Sequence, residues 1–168
     1  MCLYLNSLNK EDNKVKTATE DIVCWKVLEK TGDNVYRSPY EHYPYKLNTT
    51  IKDDGNRVQN IEKKIYGGCF HTYMNMEDAF QSMTMSNNEV DHIRKRWPGK
   101  GYPRFNCYYS VVVKCIIPKG TKYYEGTFKN EQNDLARSYA SKRLKVTNEV
   151  MTTSEFETHN NKDEEVCA

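Results

Sequence analysis

The chain has 168 residues, 25 Lys and Arg against 23 Asp and Glu, 38% hydrophobic and 12% aromatic content. That length suits one domain with a sizeable core, and the aromatic content, carried mainly by 13 Tyr, argues against a disordered chain. No apolar run approaches the roughly 20 residues that cross a bilayer, and MCLYLN lacks the charged and apolar regions of a signal peptide, so a soluble cytoplasmic protein is expected, with no membrane partner.

Charge is unevenly spread. From Thr147 onward six acids face one base, a net of −5, whereas the preceding residues carry 24 bases against 17 acids, a net of +7. The six cysteines form no Cys-x-x-Cys pair and read as reduced thiols, with Cys24, Cys69 and Cys115 in apolar stretches that favour burial. Cys69 and His71 make a Cys-x-His pair, but nothing nearby completes a zinc ligand set, so no metal is expected.

In chain order, residues 1–19 read as an N-terminal arm and 20–150 as a single α+β domain, followed by an acidic, disordered tail over 151–168. DIVCWKVL is rich in β-branched and aromatic residues and predicts a strand. Thr31, Gly32, Asp33 and Asn34 turn it into VYRSPY, making a hairpin. Lys52 to Asn56 make a second turn. In GGCFHTYMNMEDAF a strand carrying Phe70, His71 and Tyr73 feeds a short helix, with Asn75 as N-cap, Glu77 and Asp78 in the first turn, and Met76, Ala79, Phe80 and Met83 at helical spacing. The stretch from Arg94 to Phe105 interleaves five bases with Trp97, Tyr102 and Phe105 and reads as a basic loop; any nucleic-acid partner enters through this segment alone.

YYSVVVKCIIP predicts a central strand buried on both faces, ended by Pro118, Lys119 and Gly120, with Val111, Val113, Ile116 and Trp25 in the core. TKYYEGTF is a further strand. The pairs Tyr108, Tyr109 and Tyr123, Tyr124 put one ring on each face of their strands. SYASKRLKVTNEV alternates apolar and polar residues as one last strand. The expected architecture is a bent, mostly antiparallel sheet of about six strands with one or two short helices.

The blocks GCFHTY and KCIIPKGTKYYEG resemble small proteins of gut bacteria and their phages, a resemblance that carries no activity with it. GGCFHTYMNMEDAF and VVVKCIIPKG also resemble two parts of the ADP-ribosyltransferase-like fold. That resemblance implies an NAD site with Arg37 gripping the nicotinamide half, Tyr73 or His71 stacking on it, and Glu125 near the place of the catalytic carboxylate. The last strand has Ser138 and Ser141 where a transferase would want Glu.

No Gly-x-Ser-x-Gly elbow, phosphate-binding loop or dinucleotide fingerprint is present, which removes serine hydrolases, P-loop NTPases and Rossmann enzymes. The reading that remains is a non-enzymatic intracellular binding protein, phage-related and directed at a nucleotide-like or anionic ligand, without a cofactor. Arg37, His71, Tyr73, Tyr124 and Glu125 are its candidate ligand-binding residues. An NAD-using ADP-ribosyltransferase and a protein-binding inhibitor are the alternatives, the latter through the tyrosine-rich surface.

Overall fold

The computed structural model describes residues 3–4, 14–33, 35–39, 42–53, 60–61, 64–65, 69–96, 109–129 and 135–151. Their elements are β1 (Leu3–Tyr4), β2 (Lys16–Thr17), β3 (Ile22–Gly32), β4 (Val35–Arg37), β5 (Pro44–Tyr45), β6 (Thr49–Lys52), β7 (Asn60–Ile61), β8 (Lys64–Ile65), β9 (Phe70–Tyr73), α1 (Met76–Arg96), β10 (Ser110–Ile117), β11 (Lys122–Lys129), β12 (Leu135–Ser141) and β13 (Arg143–Met151). All the strands belong to one sheet, whose main path runs β6-β13-β10-β3-β9-β12-β11-β1-β8-β7, with β2 on β11 and the β4–β5 pair on β3. The class is the expected α+β with antiparallel pairing, but thirteen strands among the described residues replace the expected six, because many are two-residue pieces without a periodic sequence signal.

Two tight connections explain the bend. Pro118–Thr121 joins β10 to β11, and Lys142 alone separates β12 from β13, yet neither pair is adjacent in the sheet. β12 and β13 are four positions apart on the path, about 19 Å in a flat sheet, while one intervening residue lets their ends separate by no more than about 7 Å. The sheet must therefore fold over on itself. Between its halves lies an inner core of Cys24, Leu28, Val113, Cys115, Ile117, Leu144 and Val146, with Tyr36, Tyr45, Phe70 and Tyr123. The connection at Pro118–Thr121 has the form of a type II turn: Thr121 N–H donates to the Pro118 carbonyl at 3.1 Å, and Gly120 takes a φ of 78°, which the absence of a Cβ permits.

The outer face is covered by α1. Ala79, Phe80 and Met83 pack on Val27, Tyr73, Val112 and Ala136, with Met76 and Trp25 at the margin. The helix starts where Asn75, Glu77 and Asp78 announce it, the Asn75 amide donating to Asp78 Oδ2 at 3.2 Å. Its 21 residues run on to take in Arg94, Lys95 and Arg96, expected in a loop. Past Met83 polar groups hold it. The Asn87 carboxamide accepts from Ser110 N–H at 2.7 Å and donates to Ser110 C=O at 3.1 Å, completing the backbone pairing at the start of β10, while Tyr109 O–H donates to Asp91 at 2.7 Å. Apolar periodicity cannot report such a contact. The remainder of the basic stretch and the tail beyond Met151 lie outside the described residues, as does most of the N-terminal arm.

Two further expectations need correction. SYASKRLKVTNEV is two strands, because Lys142 is a corner where the chain passes from the β9–β12 side to the β10–β13 side. β10 is buried on both faces only in its first half: Val112 and Val113 are inaccessible, whereas Val111 and Ile116 are half-buried, as is Trp25 on β3. Ile116 lies on the outer face beyond the helix. Among the described residues no helix is long and apolar enough to cross a membrane.

Val113→Asp should abolish folding, since an unpaired carboxylate in the inner core costs several kcal/mol; a soluble variant with a cooperative melt would contradict the strand assignment. Asn87→Ala should cost about 1–3 kcal/mol in urea titration by orphaning both backbone groups of Ser110, and an unchanged midpoint would show that the helix does not depend on this clamp.

Candidate functional site

The five candidate ligand-binding residues are divided by strand parity. Arg37 lies opposite Glu29 on the β3–β4 ladder, and its Nε donates to Glu29 Oε2 at 2.6 Å. Tyr73 is 1% exposed in the core beneath α1, and its hydroxyl donates to Ser82 Oγ at 3.0 Å. His71, 8% exposed, pairs with Ala140, which pairs in turn with Tyr124, so these three form a row across β9, β12 and β11 on the outer face. Glu125 follows Tyr124 and therefore lies on the inner face. Its Oε2 accepts from Lys16 Nζ at 2.8 Å and its Oε1 from Tyr123 O–H at 3.5 Å. His71, Tyr73 and Tyr124 thus share a face. Glu125 does not, and Arg37 is engaged by its own carboxylate partner. β4 and β9 are not hydrogen-bonded to each other; both lie along one edge of β3.

The inner core contains an ammonium group. Lys26, 9% exposed, donates from Nζ to the His71 carbonyl at 2.8 Å and stands 5.4 Å from the centroid of Tyr45. Tyr45 in turn packs edge to face with Tyr43 and Phe70, the three centroids lying 5.4–6.3 Å apart. Cys24 and Cys115 are directly opposite each other in register, both as free thiols. Burial pushes the Cys24 thiol up to about 12 and Cys69 up to about 11, and drives Cys115 well above the ordinary range. Such thiols are protonated at neutral pH and suit packing rather than nucleophilic attack. Burial, then the Glu125 charge, also raises Tyr123 and Tyr139. Among the described residues no group of three His, Cys, Asp or Glu could hold a metal ion.

Register assembles a different set on the outer face where α1 leaves it uncovered. Lys114 lies opposite Trp25; Ile116 lies opposite Val23 on one side and Lys145 on the other. Lys145 pairs with Thr50, and Arg143 pairs directly with Lys52. Lys114 and Arg143 lie two residues from the Ile116–Lys145 row in opposite directions, so the four cations form a diagonal track over β10, β13 and β6 that starts beside Trp25. Val23, 48% exposed, borders it. Among the described residues Arg143 and Lys145 have no ionic partner. The nearest acids by chain position are Glu149, four residues beyond Lys145 on β13, and Asp53, next to Lys52; Asp21, which accepts from Lys119 N–H at 2.8 Å, stands two residues before Val23. The signal in the sequence was the alternation of Arg143 and Lys145 with Leu144 and Val146, and Lys114 inside a β-branched run, but only strand register joins those signals.

No family model, curated protein or solved structure matches this chain.

The thiols determine an alkaline limit. A folded-state pKa raised above its ordinary value of 9.0 gives stability that is present below pH 9 and lost as pH rises toward the folded values of about 11 and 12. Urea midpoints should therefore hold from pH 7 to 8.5 and fall between pH 9 and 11, with Cys24→Ala flattening the fall; a profile unaffected by Cys24→Ala would mean that this thiol ionises as easily folded as unfolded.

Proposed function

We propose that the chain is a non-enzymatic binding protein for an anionic ligand, which it takes on the outer face of β10, β13 and β6. The observation that carries this reading is the direct pairing of Arg143 with Lys52, with Lys145 one step along the same strand face. Arg143 and Lys145 have no ionic partner among the described residues, so both cations are available to an anion. Trp25 beside Lys114 adds a ring to the cation, a combination that suits a ligand with both phosphate and planar groups.

An NAD-using transferase is the weaker alternative, because Glu125 faces Lys16 and Tyr123 on the opposite side of the sheet from Tyr73. For a protein-binding inhibitor the described residues offer separated exposed side chains such as Tyr43 and Tyr109. Cytoplasmic residence is consistent with the free thiols of Cys24, Cys69 and Cys115. A phage-related role rests on the sequence resemblance alone.

Calorimetry with long-chain inorganic polyphosphate, ADP and NAD tests the reading. At low salt polyphosphate should bind, and Arg143→Gln combined with Lys145→Gln should weaken it at least about tenfold, the equivalent of about 1.4 kcal/mol, without lowering the melting temperature. Arg37→Ala should leave affinity unchanged. An unaltered affinity in the double variant refutes the site, and release of nicotinamide from NAD that Glu125→Gln abolishes would establish the enzyme instead.

A further inference from the structure

We infer that the chain's own acidic segment from Glu155 to Glu165 docks on this face through Arg143 and Lys145, so that an outside anion binds by displacing it. The inference rests on the anion-binding reading above and adds its regulation.

Neighbouring groups decide how much of the face is open. Lys52 and Lys114 are engaged by other groups. Glu149 lies four residues beyond Lys145 on β13, and Asp21, just before β3, accepts from Lys119 N–H at 2.8 Å. The open positive charge on this face is therefore the pair Arg143 and Lys145, two residues apart on one side of β13 and about 7 Å from each other. Both are half-buried, and Ile116 lies directly opposite Lys145 with exposed Val23 beyond it. A cationic pair bordered by apolar side chains fits a short acidic stretch that carries an aromatic ring.

The same chain supplies such a stretch. Beyond Met151 stand Glu155, Glu157, Asp163, Glu164 and Glu165 against Lys162, with Phe156 between the first two. This charge complements the residues before Thr147, where 24 bases stand against 17 acids. Reach follows from the strand the segment leaves. Met151 pairs with Val112, and from there back to Lys145 and Arg143 is six and eight residues, about 20 and 27 Å along β13. Asp163 is twelve residues from Met151, a connection that can span about 40 Å, so the carboxylates of 163–165 can meet both cations at once. Phe156, five residues out, has a span of about 17 Å, and Ile116 is about 15 Å from Met151.

The tether offsets the weakness of contacts on an open face. Exposed ion pairs contribute little singly, but a segment held by so short a connection is present at about 1 mM. A free acidic peptide has no such advantage. The chain's own segment therefore holds the pair until a polyanion with more charges displaces it.

The test uses the full chain at micromolar concentration and a water-soluble carbodiimide, which joins a carboxylate to an amine where the two touch. At low salt an amide between Lys145 and one of Asp163, Glu164 or Glu165 is expected, read by peptide mass spectrometry. Mixing unlabelled with 15N-labelled protein separates bonds within one chain from bonds between two. Saturating long-chain polyphosphate should lower the yield at least about threefold, because both need the same cations. In the full chain carrying Asp163→Asn, Glu164→Gln and Glu165→Gln, polyphosphate should bind about threefold more tightly, and the gain should vanish once Arg143→Gln and Lys145→Gln are added.

A gain that survives in the combined variant reports net charge alone and overturns the inference. So does an amide formed only between two copies. Polyphosphate binding that needs Arg143 and Lys145, with no amide at Lys145 or with one that polyphosphate leaves undiminished, also overturns it while the anion-binding reading stands. Indifference of polyphosphate to the Arg143→Gln and Lys145→Gln double variant removes both.

Discussion

The sheet of thirteen described strands has two faces to remove from water, and the one helix among the described residues can cover only part of one of them. The ten strands of the main path would spread about 43 Å if flat, whereas a 21-residue helix is about 32 Å long and 10 Å wide. Folding over meets the first requirement: the corners at Lys142 and Pro118–Thr121 bring the β10–β13 half against the β11–β12 half, and Cys24, Leu28, Val113, Ile117 and Leu144 are buried between them. On the outside α1 protects Val27, Tyr73 and Val112, then runs out of sheet it can reach. What remains beyond Trp25 must live with solvent or with a ligand, and it is there that the cations gather.

The fold-over has a local cost that Lys26 offsets. β3 and β9 meet through a single paired position, Trp25 with Tyr73, and the next carbonyl along β9 that points toward β3, that of His71, is taken by the Lys26 ammonium instead of a backbone amide. A side-chain donor reaches across a gap that a peptide N–H cannot, so the strands can splay without leaving a buried acceptor unsatisfied. The ring of Tyr45 near the same ammonium lowers the cost of holding a charge in the core. Lys26 therefore belongs to the architecture of the bend.

Legibility in the sequence followed the range of the interactions involved. The β3–β4 hairpin, the β10 strand, the turn at Gly120 and the start of α1 depend on neighbours within a few residues, and DIVCWKVL, VVVKCII, Pro-Lys-Gly and Asn75 with Glu77 and Asp78 announce them. The second half of α1 rests on Asn87 reaching Ser110 of β10 and on Asp91 reaching Tyr109 just before it, about twenty positions away, so no periodicity marks it. The step at Lys142 is a corner made of one residue, invisible beside a continuous alternation of apolar and polar side chains. As for the candidate site, Tyr124 and Glu125 are adjacent in sequence and on opposite faces in the sheet, which is enough to separate the carboxylate from the His71 row. Arg143 and Lys52 are far apart in the chain and opposite in register.

Exposed lysines on a sheet have a second use, since charge on an edge strand discourages pairing with another chain. Lys52 fits that role, because β6 ends the described path of the sheet. Arg143 and Lys145 do not fit it. β13 is paired on both sides, with β10 and with β6, and has no free edge to protect. Neutral polar residues with good strand propensity, such as the Thr49 and Thr50 that β6 itself uses, would keep that face wet without setting a guanidinium opposite an ammonium. Arg143 and Lys145 therefore sit on a doubly paired strand for a reason that edge protection does not supply.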